Sequence, residues 1–215
     1  MTKRSNSNWE THPTHGLGPL EFGMSRAEVS RHNGIFGEVT RLHYYGHSAE
    51  TFKEDLGPFA DVFTEDIIAA AKQAAQGFDK ATAHLTEETR QEPCLMRFEY
   101  AHDKLCSIDI RNDCQLVHLQ GQHIFAIPPK DLISALHNID KGYTSDSYDL
   151  LFEGLGMMLY DFFTRDETSG VWNVVPAHAE CDPSSPPGLV LFSPSQTKRY
   201  KKRGFSVNYS SRFSI

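Results

Sequence analysis

Cysteines, histidines and clustered carboxylates are the side chains of this chain that can carry chemistry, and their spacing limits what that chemistry is. Cys94, Cys106, Cys114 and Cys181 lie 12, 8 and 67 positions apart with no C-x-x-C pair, which is not the spacing of a structural zinc site. They are expected as buried, reduced thiols without a disulfide, although Cys94 and Cys106 are close enough in sequence to meet across a hairpin. His12-Pro-Thr-His15 would hold a metal only if another ligand, such as His178, closed over it. His118 and His123 straddle Gly121 and can approach across a turn. Neither arrangement completes a ligand set, so no metal and no cofactor are expected. The acids Asp146, Asp149, Glu153, Asp161, Asp166 and Glu167 offer a carboxylate pair for acid–base work, but along strands joined by turns such acids form a solvated face. There is no G-x-S-x-G elbow, P-loop or H-E-x-x-H, and Gly154-Leu-Gly156 lacks the third glycine and the helix of a dinucleotide fingerprint. No catalytic residue is nominated.

Charge points to binding rather than catalysis. The formal net charge is −7, yet Ser184 to Ile215 holds six basic residues and no acid. Taking those six positive charges from −7 leaves −13 on residues 1–183. Such a body repels nucleic-acid phosphates and suits a basic protein partner, or simply keeps the protein dissolved. The basic run from Lys198 to Arg203 has only Tyr200 as a nearby aromatic platform. It is expected to cap a sheet edge or meet the acidic body. The first eight residues are polar and lack the apolar segment of a signal peptide, and no apolar run approaches the roughly 20 residues of a membrane helix, so a cytoplasmic protein is expected.

The elements that must position these groups are legible in part. Leu20 to Val29 reads as an extended lead-in, then Ser25 three residues before Glu28 in capping-box spacing, then a helix from Arg26 to Asn33 with a glycine stop at Gly34. Residues 64–76 have high helix propensity, with Gly77 as the stop, and 79–93 read as a polar connection. A β-rich block follows: Leu95–Tyr100, Leu105–Ile110, Gln115–Gln120 and His123–Ile127, with Asp103-Lys104 as a hairpin turn. Pro128-Pro129 opens a helix over 130–138. Tyr148–Phe152, Gly156–Phe163 and Val171–Val175 read as strands, and Leu189–Phe192 is a short apolar run. The expected fold is α+β, dominated by antiparallel sheet with short helices. Its expected parts are a loose polar tail (1–15), a first helix-on-sheet unit with an acidic insertion (16–93), a second β-rich unit (94–182) and a basic C-terminal segment (183–215).

A shift of 103 residues lays Phe22-Gly-Met-Ser-Arg-Ala-Glu-Val29 on Phe125-Ala-Ile-Pro-Pro-Lys-Asp-Leu132. Aromatic falls on aromatic, N-cap on proline and acid on acid, and each copy precedes β-rich sequence. This pattern predicts two copies of a unit in which a short helix packs across an antiparallel sheet.

The first copy, with Gly34 and Gly37 following it, resembles the "GMT-x-x-E-V…LG" signature of the SmpA/OmlA-like lipoprotein fold, although His32-Asn33 replaces the usual apolar residues and no lipobox cysteine is present. The second copy, through Leu151-Phe-Glu-Gly-Leu-Gly-Met-Met-Leu-Tyr160, is similar to the companion half of soluble bacterial proteins, many of which look like immunity proteins of polymorphic toxin systems. The resemblance implies a non-catalytic protein that occludes a cognate, basic toxin. The expected contact residues are Asp146, Tyr148, Asp149, Phe152, Glu153 and Tyr160, together with Glu54 and Asp55 of the acidic 50–66 segment. An enzyme using histidines and carboxylates, or an intracellular adaptor, is the alternative.

Overall fold

A computed structural model describes residues 7–46, 62–145, 149–160, 163–165, 172–174 and 188–201. Its centre is an open antiparallel sheet of eight strands. In chain order these are β1 (Arg41–Tyr44), β2 (Leu85–Arg90), β3 (Met96–Ala101), β4 (Lys104–Arg111), β5 (Tyr143–Ser145), β6 (Leu150–Phe152), β7 (Met157–Tyr160) and β8 (Gly188–Phe192). Their spatial order is β5-β6-β7-β8-β4-β3-β2-β1. Two four-stranded meanders therefore meet through their last strands, with Val190 opposite Asp109 near the junction. Helices α1 (Arg26–Ser30) and α2 (Asn33–Phe36) precede the first meander, which is interrupted after β1 by α3 (Glu65–Thr82). Helix α4 (Pro129–Ile139) precedes the second, and α5 (Thr197–Lys201) follows it. The α+β class and the antiparallel sheet are as the sequence predicts, and the helix-then-meander order occurs twice.

Local chemistry explains the first helices. The Ser25 amide donates to Glu28 Oε2 at 2.7 Å, and the Glu28 amide donates to Ser25 Oγ at 3.3 Å, which completes the capping box. The helix does not run to Gly34. It ends at Ser30, and a second turn, α2, closes at Gly37. Gly37 has φ 77°, and a Cβ there would lie 1.8 Å from the Glu92 carbonyl oxygen, so the glycine stop belongs at this position. Helix α3 also departs from expectation. It passes through Gly77 to Thr82, and part of the expected connection at 79–93 is helix and the strand β2. Gly77 has open space around it and helical neighbours that outweigh its propensity penalty of about 1 kcal/mol.

The main core lies on one sheet face, where Val29 and Phe36 meet Met96, Phe98 and Ile108, and Leu132 and Leu136 meet Phe152, Met157 and Leu159. Beneath α2, Arg90 is fully buried. Its guanidinium donates to Asn33 Oδ1 at 2.8 Å, to the Gly37 carbonyl and to Glu88 Oε2 at 3.1 Å, and lies 4.8 Å from the Phe98 ring centre. Tyr100 donates to the same Glu88 oxygen at 2.9 Å. The charge thus satisfies the carbonyl end of α2 and a buried carboxylate together. A smaller apolar cluster, Leu151, Met158, Val190 and Phe192, occupies the opposite face in the second meander only.

Three other expectations are corrected. Cys94 and Cys114 form a disulfide, with Cα atoms 5.1 Å apart, whereas reduced thiols were expected. The β3–β4 hairpin pairs Met96 with Ile110, so the flanking cysteines meet at its open end, and Cys106 stays a free, buried thiol away from Cys94. Nor is the N-terminal segment loose from Ser7 onward. Thr11–His12, Gly16–Leu17 and Leu20–Glu21 form a small antiparallel sheet, Trp9 is in the core, and the Thr14 amide donates to the Leu155 carbonyl at 2.9 Å. The expected strand from Gln115 to Gln120 shrinks to His118–Leu119 paired with Gln122–His123, and Ile124–Ala126 is a 3-10 turn. Among the described residues, no helix is long and apolar enough to cross a membrane.

Candidate functional site

The sheet face opposite the main core is polar in the first meander. Register places Phe192, Ser107, Glu99, Glu87 and His43 in one cross-strand row, and Val190, Asp109, Arg97, Thr89 and Arg41 in the next. In the first row two carboxylates, Glu87 and Glu99, are direct neighbours, an arrangement that is repulsive unless cations or donors compensate it. Two partners do so. Tyr45 donates its hydroxyl to Glu87 Oε2 at 3.1 Å, and the Arg199 guanidinium from α5 forms an ion pair with Glu99 Oε1.

Local backbone brings in a thiol. The β3–β4 register shifts between Glu99 and Tyr100, leaving Cys106 as an extra residue opposite them. The bulge turns its Sγ toward Glu99, 3.3 Å from the carbonyl oxygen and 3.6 Å from Oε1. The ladder between β8 and β4 then continues one step further, as Ser193 donates its amide to the Cys106 carbonyl at 2.9 Å. A 3-10 turn at Pro194–Gln196 follows, and α5 carries Arg199 back over Glu99.

Electrostatically this corner is negative. Burial, and then the charges of Glu87 and Glu99, push the Tyr45 hydroxyl up to about 12 against the smaller opposing pull of Arg199. Burial, and then Glu99, push the Cys106 thiol up to about 12. A thiol held protonated is no nucleophile near neutral pH. In this corner a protonated thiol lies beside two carboxylates, one of which holds the Arg199 guanidinium. In the adjoining row, Tyr160 donates to Asp109 Oδ1 at 2.8 Å, and burial raises the Asp109 carboxyl. Arg97 stands 3.8 Å from the other oxygen of Asp109.

The expected contact residues are dispersed. Tyr160 reaches this face through Asp109. Phe152 lies on the other face, fully buried, with its ring 5.3 Å from that of Tyr143; it packs the core and presents nothing to a partner. Asp149 and Glu153 are half-buried, and Glu153 opens the 3-10 turn Glu153–Leu155. Asp146, Tyr148, Glu54 and Asp55 lie outside the described residues. His118 and His123 do meet across their turn, with ring centres 4.0 Å apart. Among the described residues, no three His, Cys, Asp or Glu side chains are grouped to hold a metal ion.

Glu87, Glu99 and Tyr45 were not singled out from the sequence, while Cys106 was read only as a buried thiol and Arg199 only as a member of the basic run. Glu87 falls in Thr86-Glu-Glu-Thr-Arg90, which has no apolar alternation to mark a strand. The basic run from Lys198 was the usable signal, since it was expected to meet the acidic body. Comparison with protein-family models, with curated proteins and with solved structures gave no match to this chain.

Proposed function

We propose that this protein is a non-catalytic binding protein of the immunity type, which neutralises a basic cognate toxin by covering it. The observation that carries this reading is the cross-strand pair Glu87–Glu99, a repulsive arrangement whose compensation includes a guanidinium. A basic partner supplies the same group, and the −13 carried by residues 1–183 supplies long-range attraction that acts on the association rate. The half-buried Asp149 and Glu153, with Asp146 and Tyr148 next to them in sequence, form a second acidic stretch for the same partner.

The test uses the product of the neighbouring open reading frame as partner. Wild type, E87K/E99K and D146K/D149K/E153K are compared in stopped-flow association at low and physiological salt. Reversal at the contacting patch lowers the association rate by about tenfold at low salt and flattens its salt dependence. If both variants associate as fast as wild type and protect cells equally, or if no such partner is recovered, the immunity reading is wrong.

A further inference from the structure

The Arg199 contact is unusual in its origin. Glu99, which holds it, is fixed in β3 opposite the bulge at Cys106. Arg199 comes instead from a five-residue helix after the last strand. Ser193, shortly before it, donates its amide to the Cys106 carbonyl at 2.9 Å, whereas Ser193 Oγ to Ser195 Oγ at 2.8 Å and Thr197 Oγ1 to the Pro194 carbonyl at 3.0 Å are bonds within the segment itself. It belongs to a stretch with six basic residues and no acid from Ser184 to Ile215. The Arg199 side chain is about a third exposed at 35%, whereas that of Glu99 is 12% exposed. The cation therefore sits on the solvent side of a nearly covered carboxylate, and neither Arg199 nor Glu99 belongs to the apolar core.

We infer that the segment from Pro194 to Lys201 is an autoinhibitory strap whose Arg199 occupies the Glu87–Glu99 corner, so that a basic partner must displace it to bind. This rests on the reading of the corner as the partner's docking point. The strap lowers apparent affinity by the fraction of molecules in which it is closed, and favours partners that present several cations over those that present one. Removing the Arg199 charge therefore tightens binding, whereas removing a residue that only supports the corner weakens it.

The experiment uses the full chain and a nona-arginine peptide as probe, read by fluorescence anisotropy at low salt. R199Q is expected to bind the peptide about tenfold more tightly than wild type, R199K like wild type, and E87Q/E99Q more weakly, with no gain when R199Q is added to E87Q/E99Q. Hydrogen exchange of wild type provides a readout independent of how any variant folds: on adding peptide, the amides of residues 197–201 exchange faster as the strap lifts. If E87Q/E99Q weakens binding but R199Q does not tighten it and exchange at 197–201 is unchanged or slower, the strap is refuted while the corner stands. If E87Q/E99Q binds the peptide as well as wild type does, the corner reading and the strap fall together.

Discussion

The two meanders of the sheet share one topology and differ in chemistry on both faces. In the first, the helix-bearing face holds the buried pair Arg90–Glu88, and the opposite face holds Glu87 and Glu99. In the second, Leu132 and Leu136 of α4 meet Leu150, Phe152, Met157 and Leu159 on one face, and Leu151, Met158, Val190 and Phe192 fill the other. Turn positions and strand pairing set the path of the chain, and both halves follow it. Side-chain polarity then divides the work. The second half buries apolar side chains on both faces, whereas the first buries them on one face together with an ion pair that contributes little net stability.

The sharpest way to break this contrast is at Arg90. R90A leaves Glu88 buried without its cation and is expected to cost about 3–5 kcal/mol in denaturant unfolding. Replacing both members, as R90M/E88L, gives the first half the chemistry of the second and is expected to restore wild-type stability or exceed it. If R90A costs as little as a surface substitution, the first half does not depend on its polar network.

Next in size is the disulfide, for which the second half has no counterpart among the described residues. Cys94 and Cys114 are 20 residues apart, so C94S/C114S is expected to lower stability by about 3 kcal/mol through the unfolded chain. Thiol counting in denaturant under non-reducing conditions checks the premise: Cys94 and Cys114 should not label. Equal stability of the variant and wild type would place no weight on this cross-link.

The smallest effect at neutral pH, and the most specific to the polar face, concerns Cys106. Burial and Glu99 raise its folded-state value to about 12 from an ordinary 9.0. The unfolded chain ionises first, so this contribution is fully present below pH 9.0 and is lost as pH rises toward 12. C106A should remove the part of the alkaline decline that begins near pH 9.0, leaving the later one in which Tyr45 takes part. In native protein at pH 8 the thiol should react with Ellman's reagent far more slowly than in urea. Fast labelling of the folded protein would mean that the corner is open to solvent, against the burial on which its electrostatics rest.

How much of this was legible follows from the range of each interaction. Ser25 and Glu28 could be read because a capping box needs only residues three apart. Met157–Tyr160 and Leu189–Phe192 could be read because strands buried on both faces are apolar without interruption. Leu85–Arg90 could not, since its polar residues are satisfied by Tyr45, Tyr100 and the end of α2, and no window of that segment contains those partners. The glycine stop moved from Gly34 to Gly37 for the same reason: the Glu92 backbone that presses on Gly37 comes from the turn between β2 and β3. By itself, then, the sequence determined the α+β class, the capped start of the first helix and the apolar strands, all of which depend on local spacing. Only the tertiary structure decided the Cys94–Cys114 bridge, the Glu87–Glu99 corner and the Arg199 that closes it. These need strand register and a contact spanning 100 residues, and the free energy that favours them exists only once the sheet has formed.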